Sequence, residues 1–124
     1  MTTPEATLEA AIALFNRQQF FECHEVLEDL WRPLPAGPEK TFLQGLLQLG
    51  VGYYHWQRGN PVGAKSKLQA GLEKLEVVAS QQRYQVPIPL EPLIAQSQLL
   101  LNRLLEQQGQ TLPILLPEQI PKLE

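Results

Sequence analysis

Three clusters of proline and glycine decide what this chain can fold into. Arg32-Pro33-Leu34-Pro35-Ala36-Gly37-Pro38 packs three prolines and a glycine into seven positions, and no helix continues through such a run. Arg58-Gly59-Asn60-Pro61 reads as a stop and a restart: glycine past a helix C-terminus, asparagine as the next cap, proline at the first helical position. Gln81 to Pro89 holds Pro87 and Pro89 and reads as a linker over 81–89. Between the breaks, apolar residues recur with a helical period. Leu8, Ala11, Ile12 and Phe15 predict a first helix to about Arg17, capped by Thr3 or Thr7 with Pro4 and Glu5 suited to its first turn. After a polar break at Asn16–Gln19, Phe20 starts a second. Glu39 and Lys40 open a third, with Phe42, Leu43, Leu46, Leu47, Leu49, Val51 and Tyr54 in its apolar set. Ala64, Leu68, Leu72, Leu75 and Val78 predict a fourth, ending near Ser80. Leu90 to Gln108 predicts a fifth, stopped by Gly109. The expected fold is all-α: one irregular bundle of about five helices spanning 1–124 as a single domain.

The tail from Thr111 to Glu124 carries three prolines among Ile114, Leu115, Leu116 and Ile120. An apolar set of this kind is expected to lie extended over the bundle or against a partner, since leaving it in water is unfavourable. Gly45, Gly50 and Gly52 inside the third helix each cost about 1 kcal/mol relative to alanine. Close approach of a neighbouring helix is the expected return. The order aromatic, short break, aromatic, small residue occurs at Phe15–Cys23 and again from Leu49 to Ala64. It predicts tetratricopeptide-like helical hairpins packed side by side, with two units too few for a solenoid.

At 124 residues the chain is long enough to bury a core. A net charge of −3 with mixed signs gives no electrostatic footprint for a nucleic-acid backbone. The single cysteine, Cys23, fits a reducing compartment and, from its place in the apolar rhythm, an inert core thiol. No leader-like segment opens the chain, and no uncharged apolar run approaches the roughly 20 residues of a membrane helix. The expectation is a soluble cytoplasmic protein without nucleic-acid or membrane partners, with homo-oligomerisation open.

The second helix breaks its own apolar rhythm with a polar set. His24 and Glu28 are four apart and so share one helix face, beside Phe20, Leu27 and Trp31. Glu25 lies about 100° round from His24. The pattern is His-Glu-x-x-Glu, lacking the second histidine of the zinc-protease motif. If the second and third helices form a hairpin about the Pro-rich turn, Glu28 falls level with Gln44 and His24 level with Gln48. His55 then sits one to two turns further on. Three accounts fit the set. Glu28, His24 and Gln48 can form a buried polar network that fixes helix register in a non-enzymatic scaffold. His24, Glu28 and His55 can hold a divalent metal, as facing helices do in metal-binding bundles. A Glu28–His24 pair can do acid–base work on a small molecule whose anionic group is held by Arg32 or Arg58. Aromatics at the spacing of Trp31, Tyr53, Tyr54 and Trp56 are expected to pack the core and rim.

Phe20-Phe21-Glu22-Cys23-His24-Glu25-Val26-Leu27-Glu28-Asp29-Leu30-Trp31-Arg32, then Phe42–Gln48, Tyr54-His55 and Arg58-Gly59-Asn60, resemble the family called domain of unknown function 309. These are small helical proteins of bacteria, archaea and plastids. The likeness covers roughly Leu8 to Leu75 and implies an all-helical irregular bundle. Its motif maps to Glu22, His24, Glu25, Glu28, Trp31, Arg32, Gln44, His55, Arg58, Gly59 and Asn60. The family carries no established activity, so the resemblance implies a fold and a site but no reaction. The expected function is a polar ligand- or metal-binding groove between the second and third helices, lined by Glu25, Trp31, Arg32, Gln44, Gln48 and Arg58 around His24 and Glu28. Whether it is an enzyme stays open.

Overall fold

The computed structural model describes residues 7–81, 84–106 and 113–124. They form five α-helices and one short 3₁₀ turn, with no strand among them: α1 (Leu8–Asn16), α2 (Phe20–Trp31), α3 (Pro38–Gln57), α4 (Pro61–Gln81), α5 (Leu90–Glu106) and the 3₁₀ turn Pro117–Gln119. The expectations for Thr3, Pro4 and Glu5, for residues 107–108 of the fifth helix, for Gly109 and for the start of the tail at Thr111 lie outside the described residues.

Local chemistry sets the helix ends. Thr7 Oγ1 accepts from the Ala10 amide at 3.0 Å, a side-chain N-cap for α1. The amides of Gln18 and Gln19 then bond back to the carbonyls of Phe15 and Leu14. That is a Schellman closure, with Gln18 in the left-handed region at φ 63° where glycine is usual. The same closure ends α3, with Gly59 at φ 74° and the Asn60 amide on the His55 carbonyl. Asn60 Oδ1 next accepts from the Gly63 amide at 3.1 Å, so one residue closes α3 and caps α4. Pro38 takes the first turn of α3.

Consecutive helices pack against one another, most extensively α3 on α4. Two glycines make that contact close. A Cβ on Gly52 would lie 2.7 Å from Leu68 Cγ, and one on Gly71 would lie 2.8 Å from both the Gly45 carbonyl oxygen and the Leu49 nitrogen. Gly50, by contrast, faces Phe15 and Phe20 at ordinary contact distances from 3.7 Å, so it serves no comparable approach. Phe15, Phe20 and Tyr53 form the aromatic centre of the core, Phe15 edge-on to both partners. The Tyr53 hydroxyl and Ser97 Oγ, both fully buried, are 2.6 Å apart and tie α3 to α5.

The tail returns to its own bundle. Trp56 Nε1 donates to the Pro113 carbonyl at 2.8 Å, Gln18 Nε2 to the Pro117 carbonyl at 2.6 Å, and Gln96 Nε2 to the Gln119 carbonyl at 2.8 Å. The Leu123 amide donates to Asn16 Oδ1 at 2.7 Å, and Ile120 and Leu123 are buried. Ile114 and Leu116 stay exposed.

Candidate functional site

The helical period of α2 turns His24, Glu28 and Trp31 toward α3, and that of α3 turns Gln44, Leu47, Gln48, Val51 and Tyr54 toward α2. Between them runs a groove in two adjoining parts that meet at His24. The apolar part, about 180 Å³, is lined by Phe20, Phe21, His24, Val51, Tyr54 and His55. The polar part, about 130 Å³, is lined by His24, Glu28, Trp31, Gln44, Leu47, Gln48 and Lys67.

Glu28 is occupied from within its own helix. Arg32 Nη2 donates to Glu28 Oε1 at 2.6 Å, and His24 Nε2 stands 3.4 Å from Oε2. Glu28 and His24 are each about one-third exposed, at 31% and 33%. Pairs of this kind on one helix contribute about 0.2–0.5 kcal/mol. The set links α2 to itself and makes no bond to α3, so it does not act as the buried network that would fix register between the two helices. Gln48 stays out of it: Gln48 Oε1 is buried and has no hydrogen-bond partner. Trp31 Nε1 is likewise buried and unpartnered. Natural proteins leave few such atoms, and each calls for an explanation.

His55 has another task. Asn60 Nδ2 donates to His55 Nδ1 at 3.3 Å, and the imidazole packs over Gly63, where a Cβ would come within 2.8 Å of the ring. The three-ligand set His24, Glu28 and His55 therefore does not assemble: Glu28 belongs to the polar part of the groove, His55 to the apolar part. Among the described residues, no group of three or more His, Cys, Asp or Glu side chains could hold a metal ion. The reason is helical rise. Seven residues separate Gln48 from His55, about 10 Å along the axis, which carries His55 past the end of the His24–Glu28 pair.

Other expected residues sit apart. Glu25 is exposed and lines neither part of the groove. Arg32, 65% exposed, is turned onto Glu28. Arg58 stacks over the Tyr54 ring at 5.4 Å, outside the groove walls. Lys67 was not foreseen. It comes from α4, which the α2–α3 register does not include, but one signal places it: it follows Ala64 by three and precedes Leu68 by one, on the border of the stripe α4 buries. Cys23 Sγ donates to the Ala11 carbonyl at 3.3 Å, and burial pushes its thiol pKa up to about 12, so it is protonated and inert near neutrality.

The fold and groove together define an all-α bundle with a two-part cleft between neighbouring helices of its N-terminal half. Residues 8–66, just under half of the chain, match the family described as Domain of unknown function (DUF309). The chain is also similar to the uncharacterized protein YpuF of Bacillus subtilis (strain 168), 33% identical over 73 residues. That stretch is 59% of this chain and 42% of the relative, so the chain spans less than half the relative's length. No solved structure matches it. Every groove residue except Lys67 falls inside the family-matched segment. No described helix is long and apolar enough to cross a membrane.

Proposed function

We propose that this chain binds a small molecule in the α2–α3 groove. Its apolar body lies against Phe20, Phe21, Val51 and Tyr54, and its hydrogen-bonding head enters the Trp31–Gln44–Gln48 part. The observation that carries this reading is the pair of buried polar atoms without partners, Trp31 Nε1 and Gln48 Oε1, on the walls of one small pocket. A donor and an acceptor left unmatched cost the free protein about 1–3 kcal/mol each, and a ligand head that meets them recovers part of that. Each part of the groove is below the roughly 300 Å³ at which ordinary ligand sites begin. Taken together at His24, they suit a small ligand.

Benzamide is a fitting probe: a ring for the apolar part, a carbonyl for the Trp31 N–H, an amide N–H for Gln48 Oε1. The chain has two tryptophans, hence two indole N–H signals in a ¹H–¹⁵N spectrum. Titration is expected to move the Trp31 signal and leave Trp56, already bonded to Pro113, in place. Equal or absent shifts at both contradict the reading.

The second reading, an interaction scaffold, draws on exposed apolar residues outside the family-matched segment: Leu99 at 66% and Ile114 at 77%. Under it, benzamide leaves Trp31 unmoved, and dilution of the protein alone shifts the signals of Leu99 and Ile114.

A further inference from the structure

We infer that the ligand of this groove is a carboxylate on a compact apolar body, such as a small aromatic or branched aliphatic acid. The inference rests on the binding reading above and names the chemistry of the head. Its first support is the charge inventory of the polar part. The one carboxylate there, Glu28, is taken by Arg32 at 2.6 Å with His24 alongside. Lys67, on the opposite wall, forms no ion pair among the described residues. Lys40, over the Trp31 ring at 4.8 Å and donating to the Leu34 carbonyl, lies outside the lining of the polar part and outside this inventory. The positive charge of the polar part is therefore in excess.

The second support is the donor set. Trp31 Nε1 can only donate, and it is buried without an acceptor. The Gln48 amide has nearly the same shape with its oxygen and nitrogen exchanged. Turned through half a rotation, it presents Nε2 where the orphaned Oε1 now lies. Trp31, Gln48 and Lys67 then offer three donors to one pocket, and a carboxylate, with two oxygens and about four lone-pair directions, accepts all three. A neutral amide head satisfies Trp31 and Gln48 but leaves Lys67 unmatched.

The third support is size. A cavity of about 150 Å³ is known to take a benzene ring, and the apolar part offers about 180 Å³. The polar part, about 130 Å³, has room for a carboxyl group and little more. The walls are helical and present no strand edge, so nothing here is suited to holding a peptide backbone.

Three probes with one ring and different heads test this by ¹H–¹⁵N titration at constant salt: benzoate, benzamide and benzylamine. Benzoate is expected to bind about tenfold more tightly than benzamide, the difference one charge-assisted hydrogen bond makes, with benzylamine weakest. Lys67→Met is expected to lower benzoate to about the benzamide level, and a dispersed, parent-like ¹H–¹⁵N spectrum shows that the variant is folded. Benzamide binding as tightly as benzoate, benzylamine binding best, or a Lys67→Met protein that keeps the benzoate preference overturns the carboxylate and leaves the groove standing. No shift at Trp31 with any of the three overturns the groove itself, and the carboxylate with it.

Discussion

The two flanks of α3 treat buried polarity in opposite ways. On the flank toward α4 and α5, no buried side-chain polar atom lacks a partner among the described residues. Gly52 and Gly71 let α3 and α4 backbones touch, and a polar pair in that core, Tyr53 with Ser97, is fully buried and bonded at 2.6 Å. On the flank toward α2, larger side chains leave a groove, its ion pairs stay within one helix, and Trp31 Nε1 and Gln48 Oε1 have no partners. A fold that can satisfy a buried hydroxyl across two helices on one face has no structural reason to leave an indole and an amide unmatched on the other. Under the proposed binding reading, the difference separates polarity that holds the bundle together from polarity kept available to a ligand.

The comparison predicts a hierarchy of stability effects. The largest is expected at the α3–α4 contact. Gly71→Ala drives a methyl group to 2.8 Å from backbone atoms of Gly45 and Leu49, which cannot move aside as a side-chain tip can. A loss of about 2–3 kcal/mol is expected, typical of overpacking, measured by urea denaturation. A loss below about 0.5 kcal/mol would mean that the helices are not in close contact there.

Next comes Tyr53→Phe, which leaves Ser97 Oγ buried without its partner and is expected to cost about 1–3 kcal/mol. The double variant Tyr53→Phe/Ser97→Ala should recover part of that loss, because no polar atom is then stranded. Burial and the low polarity around Tyr53 raise its phenol pKa, so the folded state disfavours the phenolate. The unfolded chain ionises first as pH rises past about 10, and the Tyr53→Phe protein is expected to lose less stability on alkalinisation than the parent.

Much of the scaffold is legible in the sequence, and the physical reason is punctuation. Pro33 to Pro38 and Gly59-Asn60-Pro61 fix the end of α2, both ends of α3 and the start of α4, because neither cluster can continue a helix, and Gly52 of α3 announces a close neighbour. The site is legible only in part. Counting outward from the Pro-rich turn sets Glu28 level with Gln44 and His24 level with Gln48, and these four side chains line one pocket. The count cannot say what each atom bonds to. Glu28 and His24 pair within α2, His55 is drawn off by Asn60, and Arg58 turns onto Tyr54. These choices are made by rotamers and by neighbours four or five residues away, which a motif spacing does not encode. Lys67 and Ser97 come from helices whose position depends on the tertiary packing of α4 and α5, and no local pattern marks Ser97 as the partner of Tyr53.

The smallest effect carries the most information. Gln48→Met keeps the length and approximate volume of the side chain and removes the unpartnered amide. The unfolding free energy of this variant by urea denaturation, beside the parent in the same buffer, tests directly whether the groove flank is held in reserve for a ligand. The account predicts stability equal to the parent's or up to about 1 kcal/mol higher, since a buried unsatisfied group is removed and no bond is lost. A loss of about 1 kcal/mol or more would mean that Gln48 makes a structural bond, and that both flanks of α3 are built for the fold alone.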